Sequence, residues 1–346
     1  MSLVPTKLLK AIVKLPQSQE FNKFEGRLAT FSFLQEFIAN TNLLVPASTL
    51  TSQRASASRP VEIAVMNKYD ATLITARACE NDADDVTTAL VPLSWNTTGF
   101  VIKEFSGGVY ADNYFSQEDH YAWQLRMGLK AALEKLETDT HSFLEANVSA
   151  TNASPLFGAL VGDAKQVTWE QRNTFYQAIP SILRRNDLGA SQVLDFTNPE
   201  SQIQYDYLAH QGRQNGENLQ YQVQPVLPIR SNVITPGAGI SEIHYLAPQG
   251  SVGLLTWNSW SERNNDTRIP GVDYFTTVQD PIFGITWGLR VTKDCEDESA
   301  TYAGITAGIT TKYVFTLDYA FLRPYSSEST ETPILKYEIA EEVVTP

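Results

Sequence analysis

Cysteine is nearly absent from this 346-residue sequence, in which Cys79 and Cys295 are the only two. Two cysteines do not make a disulfide framework, so we expect synthesis in a reducing, cytoplasmic compartment. Long apolar runs are also absent, and none approaches the ~18 residues of a membrane span. In the opening MSLVPTKLLKAIVKLP, Lys7, Lys10 and Lys14 interrupt the apolar residues. This pattern differs from a signal peptide and predicts a short amphipathic arm.

Basic residues are fewer than acidic ones, 26 against 39, which gives the chain a net charge of −13. Tight nucleic-acid binding needs Lys and Arg to neutralise phosphates, so this balance argues against it. Solubility alone is a sufficient explanation for the acidity. Because 42% of the residues are hydrophobic and 19% are charged, we expect the chain to fold around a sizeable core.

The sequence patterns that carry catalysis or hold a cofactor are missing. There is no HExxH, CxxC, GxSxG or GxxxxGKS/T motif, and Gly237-Ala238-Gly239 lacks the third glycine of a dinucleotide loop. The histidines do not have metal-ligand spacing. We expect each of the four to be an ordinary surface or core residue: His120, His141, His210 and His244. The sequence therefore predicts no enzyme, no metal and no cofactor.

Two clusters admit a functional alternative. The acidic run Asp82–Asp85 resembles part of a calcium loop but lacks the Gly and Glu that complete one. A solvated hairpin tip is the simpler interpretation, with divalent-ion bridging between subunits as the alternative. Trp257, Trp260 and Trp287 are candidates for a sugar site, or for core packing and subunit contacts.

Hydrophobic spacing organises the first third of the chain. Steps of three and four predict a helix over Ser18–Asn40, and the Ser- and Ala-rich stretch Ala47–Pro60 predicts an extended, mobile connector. A long β-arm is predicted next, with an acidic tip at Glu80–Asp85. Its strand segments are Val61–Val65, Ala71–Cys79, Leu90–Leu93 and Phe100–Phe105.

The clearest predicted element is a helix from Ser116 to Ala146. Apolar residues recur there every three or four positions, no proline interrupts them, and Gly128 is tolerable. Ser116 and Asp119 form a start that is similar to a capping box. At about 1.5 Å per residue this rod is on the order of 46 Å long, roughly three times a mean globular helix.

The remaining chain mixes helices and strands and ends in a β-rich third. One helix is predicted from Thr168, with Gln171 as its capping partner and Pro180 ending or kinking it. Another begins at Asn198-Pro199. The predicted strands are Gln192–Phe196, Val252–Trp257, Ile282–Thr292, Tyr302–Thr311 and Lys312–Leu322, with Leu335–Ile339 as a final edge strand. Alternation of Tyr313, Phe315, Leu317, Tyr319 and Phe321 predicts a large apolar sheet face.

This order of elements resembles the major capsid proteins of tailed bacteriophages, whose fold is called Hong Kong 97-like. The stretches that carry the resemblance are SQEDHYAWQLRMGLKAALEKLETDTHSFLEAN (Ser116–Asn147), QRNTFYQAIPSILRRNDLGASQVLDFTNPES (Gln171–Ser201) and YLAPQGSVGLLTWNSW (Tyr245–Trp260). It is a resemblance of pattern and order over roughly residues 20–325.

The resemblance implies an α+β fold in five parts. These are an N-terminal arm and hinge (1–55), an extended β-hairpin loop (56–112), the spine helix of a peripheral domain (113–150), an axial domain (151–275), and closing strands of both domains with a C-terminal tail (276–346).

The function that the resemblance implies is self-assembly into hexamers and pentamers of an icosahedral shell around phage double-stranded DNA. Such a subunit is made in the bacterial host cytoplasm, resides in the virion capsid, and encloses DNA without sequence-specific binding or any membrane contact. Arms that bury little surface alone are expected to lie across neighbouring copies. The candidate inter-subunit contacts are Lys7, Lys10, Lys14, Glu80, Asp82, Asp84, Asp85 and Trp95.

The chain departs from part of the family and leaves alternatives open. It has no room for the long N-terminal scaffold extension of some members, which implies a separate scaffolding protein or none. Portal and decoration proteins are further candidate partners, and the family's Lys–Asn crosslink is placed on no residue here. One alternative is the shell of an encapsulin-type nanocompartment, built on the same fold. The other is a phage tail or carbohydrate-binding β-protein, against which the long helix counts.

Overall fold

The chain is α+β, as predicted. The computed structural model describes residues 31–66, 88–105, 117–188, 192–213, 226–269, 273–280, 283–295, 301–302, 305–306, 309–324 and 332–342. Its helices are α1 Ser32–Leu44, α2 Ala47–Ala55, α3 Gln117–Ala146, α4 Arg172–Arg185, α5 Ser201–Arg213 and α6 Trp260–Arg263, with a 3₁₀ turn at Trp169–Gln171. The strands up to residue 250 are β1 Glu62–Met66, β2 Thr88–Pro92, β3 Trp95–Phe105, β4 Leu160–Val161, β5 Ala164–Val167, β6 Val193–Thr197, β7 Val226–Arg230 and β8 Ile240–Pro248. The later strands are β9 Gly253–Trp257, β10 Thr267–Ile269, β11 Asp273–Gln279, β12 Thr286–Cys295, β13 Thr301–Tyr302, β14 Ile305–Thr306, β15 Ile309–Leu322 and β16 Leu335–Ala340.

The first sheet is antiparallel and has six strands in the order β10-β11-β12-β15-β3, with β9 also paired to β15. The 14-residue β15 lies at its centre. The apolar face that alternation predicted on β15 is confirmed, because Tyr313, Phe315, Leu317 and Tyr319 are buried. Helix α3 packs against this face, with the ring centroids of Tyr121 and Tyr313 6.5 Å apart.

The predicted rod is confirmed as α3, whose 30 residues extend about 45 Å at ~1.5 Å per residue. Its start at Ser116 lies outside the described residues. Gly128 proves to be a packing requirement, since an added Cβ would lie 2.3 Å from Cδ2 of Phe100. Glycine therefore lets the Phe100 ring of β3 approach the helix backbone. The buried stripe of α3 comprises Tyr121, Leu125, Leu129, Ala132, Leu133, Leu136 and Leu144.

The second sheet is mixed and has six strands in the order β4-β5-β16-β8-β6-β7. The prediction that the last strand lies at an edge was wrong, because β16 pairs with β5 on one side and β8 on the other. Its alternating residues Leu335, Tyr337 and Ile339 are all buried in a core shared with α4. A central position therefore removes apolar side chains from water on the α4 side and satisfies backbone groups on both edges.

Helix α4 covers this second sheet and continues past Pro180. Of the two predicted effects of this proline, an end of the helix or a kink, the end was wrong. The predicted capping by Thr168 was also wrong, because its side chain makes no capping hydrogen bond. Burial of Phe175, Ile179 and Ile182 against the sheet stabilises the helix on both sides of the proline.

One predicted segment of the β-arm lies elsewhere in the fold. Strands β1 and β2 form a two-stranded antiparallel ladder from Glu62–Pro92 to Met66–Thr88, separate from both six-stranded sheets. The predicted arm segment Phe100–Phe105 belongs instead to β3, which pairs with β15 in the first sheet. Burial of Ile102 and stacking of Phe100 on Phe315 at 4.5 Å account for this placement. The segments 67–87 and 106–112 lie outside the described residues, as does the acidic tip.

Residues 31–55 belong to the folded body rather than to a loose arm. Phe33, Leu34 and Phe37 of α1 are completely buried. The extended connector predicted over Ala47–Pro60 was wrong for its first nine residues, which form α2. Leu50 supplies the apolar anchor that outweighs the polar composition of this stretch. The first thirty residues, with most of the predicted helix Ser18–Asn40, lie outside the described residues.

Each of the two sheets contains strands from distant parts of the chain, and the predicted domain boundaries stay a prediction. Strands β9 to β11 already belong to the first sheet, whereas β16 returns to the second. The first sheet and the long helix therefore come from two separated stretches of the sequence, 95–146 and 253–322.

Candidate functional site

The root of the two-stranded arm is a small hydrophobic cluster between α2 and the first sheet. Ile63 of β1 belongs to this cluster. The other buried members are Val45, Leu50, Leu255 and Leu322. Ile63 is 3% exposed, so this end of the arm is anchored in the body.

Trp95 lies at the same root and is half-buried. Its indole Nε1 donates a hydrogen bond to the Pro60 carbonyl oxygen, and the Arg59 guanidinium lies 5.9 Å from the ring centroid. Arg59 in turn approaches Asp318 on β15 at 3.6 Å. The polar atom of Trp95 is thus used within the chain, and a contact of its ring face with another copy stays a prediction.

Apolar side chains on the arm and at its root face solvent. Leu90 on β2 is 65% exposed and Val61, just before β1, is 75% exposed. A two-stranded ladder is marginally stable in water by itself. Exposed apolar residues on such an element indicate a surface that another chain covers.

The other predicted contact residues cannot be placed at this site. Lys7, Lys10 and Lys14 lie in the first thirty residues, and Glu80, Asp82, Asp84 and Asp85 lie in segment 67–87, all outside the described residues. Their contacts with another copy stay predictions.

A carboxylate on the long helix holds the N-terminal helix in place. The Glu137 carboxylate accepts hydrogen bonds from the backbone N–H of Phe33, at 3.2 Å, and of Leu34, at 2.8 Å. N–H groups in the first turn of α1 have no acceptor within the helix, and its N-cap residue, Phe31, has no side-chain acceptor to offer them. Burial raises the pKa of Glu137, while these hydrogen bonds act in the opposite direction. The contact joins α1 rigidly to α3.

The three tryptophans of the predicted sugar site are not brought together. Trp287 is buried in the main core, 5.9 Å from the Phe100 ring centroid. Trp257 and Trp260 instead lie on either side of Arg263, each with its ring centroid 5.8 Å from the guanidinium carbon. The described geometry favours core packing for Trp287 and a cation–π arrangement for the other two.

A buried charged network, which the sequence did not predict, lies under α4 in the second sheet. His244 Nδ1 is 2.9 Å from each carboxylate oxygen of Asp195, and its Nε2 is 3.4 Å from Glu242 Oε2. Arg172 forms an ion pair with Glu242, to which the Tyr176 hydroxyl also donates at 2.7 Å. Two carboxylates thus face two basic side chains in the protein interior.

The electrostatics of this network favour charged partners. Burial lowers the pKa of His244, but the neighbouring carboxylates of Asp195 and Glu242 outweigh it and raise the pKa to about 9. Burial raises the pKa of Glu242, but hydrogen bonds from His244, Arg172 and Tyr176 bring it below its ordinary value. The network joins β6, β8 and α4. The His244 and Asp195 side chains have no solvent exposure, so they offer no surface for a substrate.

A weak signal for this network exists in the sequence. Glu242 and His244 are two residues apart in ISEIHYLAP, and therefore lie on one face of β8. Asp195 faces them because β6 pairs beside β8, which no spacing in the sequence specifies.

Two negative results concern the described residues only. Within them, no group of three or more His, Cys, Asp or Glu side chains is placed to hold a metal ion. The helices of the same part of the chain are too short or too polar to cross a membrane.

Comparison with known proteins gives structural similarity alone. No model of a known protein family matches this sequence, and no curated protein matches it. The chain is similar to solved phage capsid structures. The cyanophage Pam1 capsid asymmetric unit is 11% identical with a TM-score of 0.48, over 94% of this chain and 97% of that one. The cyanophage A-1(L) capsid asymmetric unit is 14% identical with a TM-score of 0.47, over 87% and 94%. The capsid of Ralstonia phage GP4 is 9% identical with a TM-score of 0.46, over 96% and 97%.

At these identities and TM-scores the similarity assigns neither a family nor a function to this chain.

Proposed function

We propose that this chain is the major capsid subunit of a tailed bacteriophage, with a Hong Kong 97-like fold. Copies assemble into hexamers and pentamers of an icosahedral shell that encloses double-stranded DNA. The observation that carries the proposal is the two-stranded arm, β1 and β2, which pairs with no other described strand and leaves apolar residues in solvent.

An arm of this kind gains stability when another copy covers it. Leu90 and Val61 would then lose their water contact, at about 25 cal/mol for each Å² of apolar surface buried. The body offers a stiff support, since Glu137 and the Phe100–Gly128 contact fix α1 and β3 on the long helix. A projecting limb on a rigid body is suited to repeated contacts around a ring.

The two sheets correspond to the two domains of the proposed fold. We assign the first sheet and α3 to the peripheral domain, and the second sheet with α4 and α5 to the axial domain. The peripheral domain then includes β9 to β11, and the axial domain includes β16.

The net negative charge of the chain supports a shell that does not bind its DNA tightly. With −13 per chain, neighbouring copies repel one another, so assembly is expected to strengthen as salt screens the repulsion. An acidic wall also holds no dense array of phosphate contacts, which agrees with DNA enclosed without sequence-specific binding.

The test is electron microscopy of the purified recombinant protein over a range of protein and salt concentrations. Round, closed particles are expected, and a chain that stays monomeric under all conditions would contradict the proposal. Replacement of residues 67–87, which join β1 to β2 in sequence, by a short Gly-Ser joint should abolish particles. Particles from the native source that hold a protein cargo and no DNA would point to the nanocompartment instead.

A further inference from the structure

A pocket of about 420 Å³ lies beside the root of the arm, bounded by α1, α2, β9, α6 and the turn between β11 and β12. Its walls mix polar and apolar side chains, with Leu254, Trp257 and Phe283 among the apolar ones. Two arginines, Arg54 and Arg263, also line it. The described lining residues include no Asp or Glu, although acidic residues outnumber basic ones in the whole chain.

Arg263 is fixed in this pocket by neutral partners. Its Nη1 donates to the Arg54 carbonyl oxygen at 2.8 Å, and its Nη2 donates to the Ser56 carbonyl oxygen. The rings of Trp257 and Trp260 flank the guanidinium. Its Nε is buried and has no hydrogen-bond partner among the described residues. The cation is thus held in position without a described counter-charge.

Arg54 adds a second cation to the same pocket. It lies in the last turn of α2 and forms no ion pair with a described residue. The surrounding protein partly excludes water from Arg54 and lowers its pKa, although the residue stays exposed, as expected for a guanidinium without an anion beside it. An anionic ligand would relieve that cost, and two arginines that line one pocket suit carboxylates.

We propose that this pocket binds the acidic segment Glu80–Asp85 of a second copy of the chain. This inference rests on the proposed assembly and names the residues that meet there. The segment ENDADD carries four carboxylates within six residues, and it belongs to the stretch that joins β1 to β2. The first pair of the ladder, Glu62–Pro92, lies at the root. The last pair, Met66–Thr88, directly flanks segment 67–87 in sequence. The arm thus connects the acidic segment of one copy to the body that carries its own pocket, and repetition of the contact links copies in a ring.

A peptide-binding experiment tests the pocket separately from assembly. The probe is the capped peptide ENDADDVT, and its control is QNNANNVT, in which amides replace the four carboxylates. Titration into the full-length protein, monitored by tryptophan fluorescence because Trp257 lines the pocket, should give saturable binding that weakens as salt rises. Arg54→Glu should weaken that binding at least about tenfold. Arg268→Glu makes the same change of charge at an exposed arginine outside the pocket and should leave binding within about twofold.

Each other outcome overturns the proposal. Equal binding of both peptides, or equal binding by wild type and Arg54→Glu, would remove the electrostatic basis of the site. Tighter binding of a short oligonucleotide, weakened by Arg54→Glu, would assign the pocket to phosphate. In protein kept monomeric, binding of the peptide only to a variant whose own Glu80, Asp82, Asp84 and Asp85 are amides would place the segment in the pocket of the same copy.

Assembly supplies an independent readout. Particle yield should fall for Arg54→Glu and for the triple change of Asp82, Asp84 and Asp85 to Lys, and should recover in part when the two are combined. If the peptide binds as expected but no particle forms from wild type, the pocket stands and the capsid proposal fails. If particles form and neither charge change affects them or peptide binding, the pocket proposal fails alone.

Discussion

His244 Nδ1 lies 2.9 Å from both carboxylate oxygens of Asp195, and neither side chain is exposed to solvent. Glu242 and Arg172 complete a balanced set of two acids and two bases. Because the pair joins adjacent strands of the second sheet, its charge state is tied to the stability of that sheet.

The pH dependence of stability follows from the direction of these pKa shifts. The pKa of His244 is raised to about 9, so its contribution to the free energy of unfolding is fully present below pH ~6.5, the pKa of an unfolded histidine. That contribution is lost as pH rises through about 9. Glu242, whose pKa is lowered, contributes above the ordinary value of 4.5 and loses its contribution as pH falls below it. Melting temperatures measured across this range should therefore decline at both ends.

Substitution of the buried histidine tests the network directly. His244→Gln leaves Asp195 with a buried charge and should lower the free energy of unfolding by about 3–5 kcal/mol. It should also remove most of the decline in stability towards pH 9. His141→Gln is the matched control, since His141 is half-buried beside Tyr245, and we expect a cost of about 1 kcal/mol or less. Urea unfolding at several pH values measures both, and equal costs would contradict the charged pair.

Gly128→Ala should destabilise the protein despite the higher helix propensity of alanine. Propensity favours Ala by ~1 kcal/mol, but the methyl group overlaps the Phe100 ring, and overpacking costs about 1–3 kcal/mol. A double-mutant cycle with Phe100→Ala separates the two effects. In that background Gly128→Ala should become neutral or stabilising, and an unchanged cost would rule out the clash with Phe100.

Loss of the Glu137 carboxylate should detach the start of α1. Glu137→Ala leaves the N–H groups of Phe33 and Leu34 buried without their acceptor, at a cost of about 1–3 kcal/mol. Glu134→Ala on the same helix removes only a surface pair with Lys130 and should cost ~0.5 kcal/mol or less. Amide hydrogen exchange should show faster exchange in α1 for the first variant alone.

Substitutions of two aliphatic residues of the arm should distinguish an effect on assembly from an effect on folding. Leu90→Asp places a charge on an exposed surface and should reduce particle yield while the melting temperature of the subunit stays nearly constant. Ile63→Asp buries a charge at the root and should lower the melting temperature itself. Light scattering and thermal unfolding distinguish the two, and a similar effect of both on folding would argue against a free arm.

Local patterns predicted the elements whose side chains alternate or recur without interruption. The long helix, the β15 face and the strand at Val61–Val65 were all predicted within a few residues. Patterns failed where a distant contact decides the outcome. Leu50 makes a helix of a polar stretch, the packing around Phe100 draws β3 into the sheet, and β16 lies between two strands far away in sequence.

The sequence by itself determined that this chain is an acidic α+β protein with one long rod-like helix, because those properties depend on composition and on spacing over neighbouring residues. Only the tertiary structure decided that Asp195 meets His244, that Glu137 caps α1, and that Arg54 and Arg263 share a pocket. Each of these contacts joins residues tens to hundreds of positions apart, and strand pairing and helix packing, rather than any local pattern, bring them together.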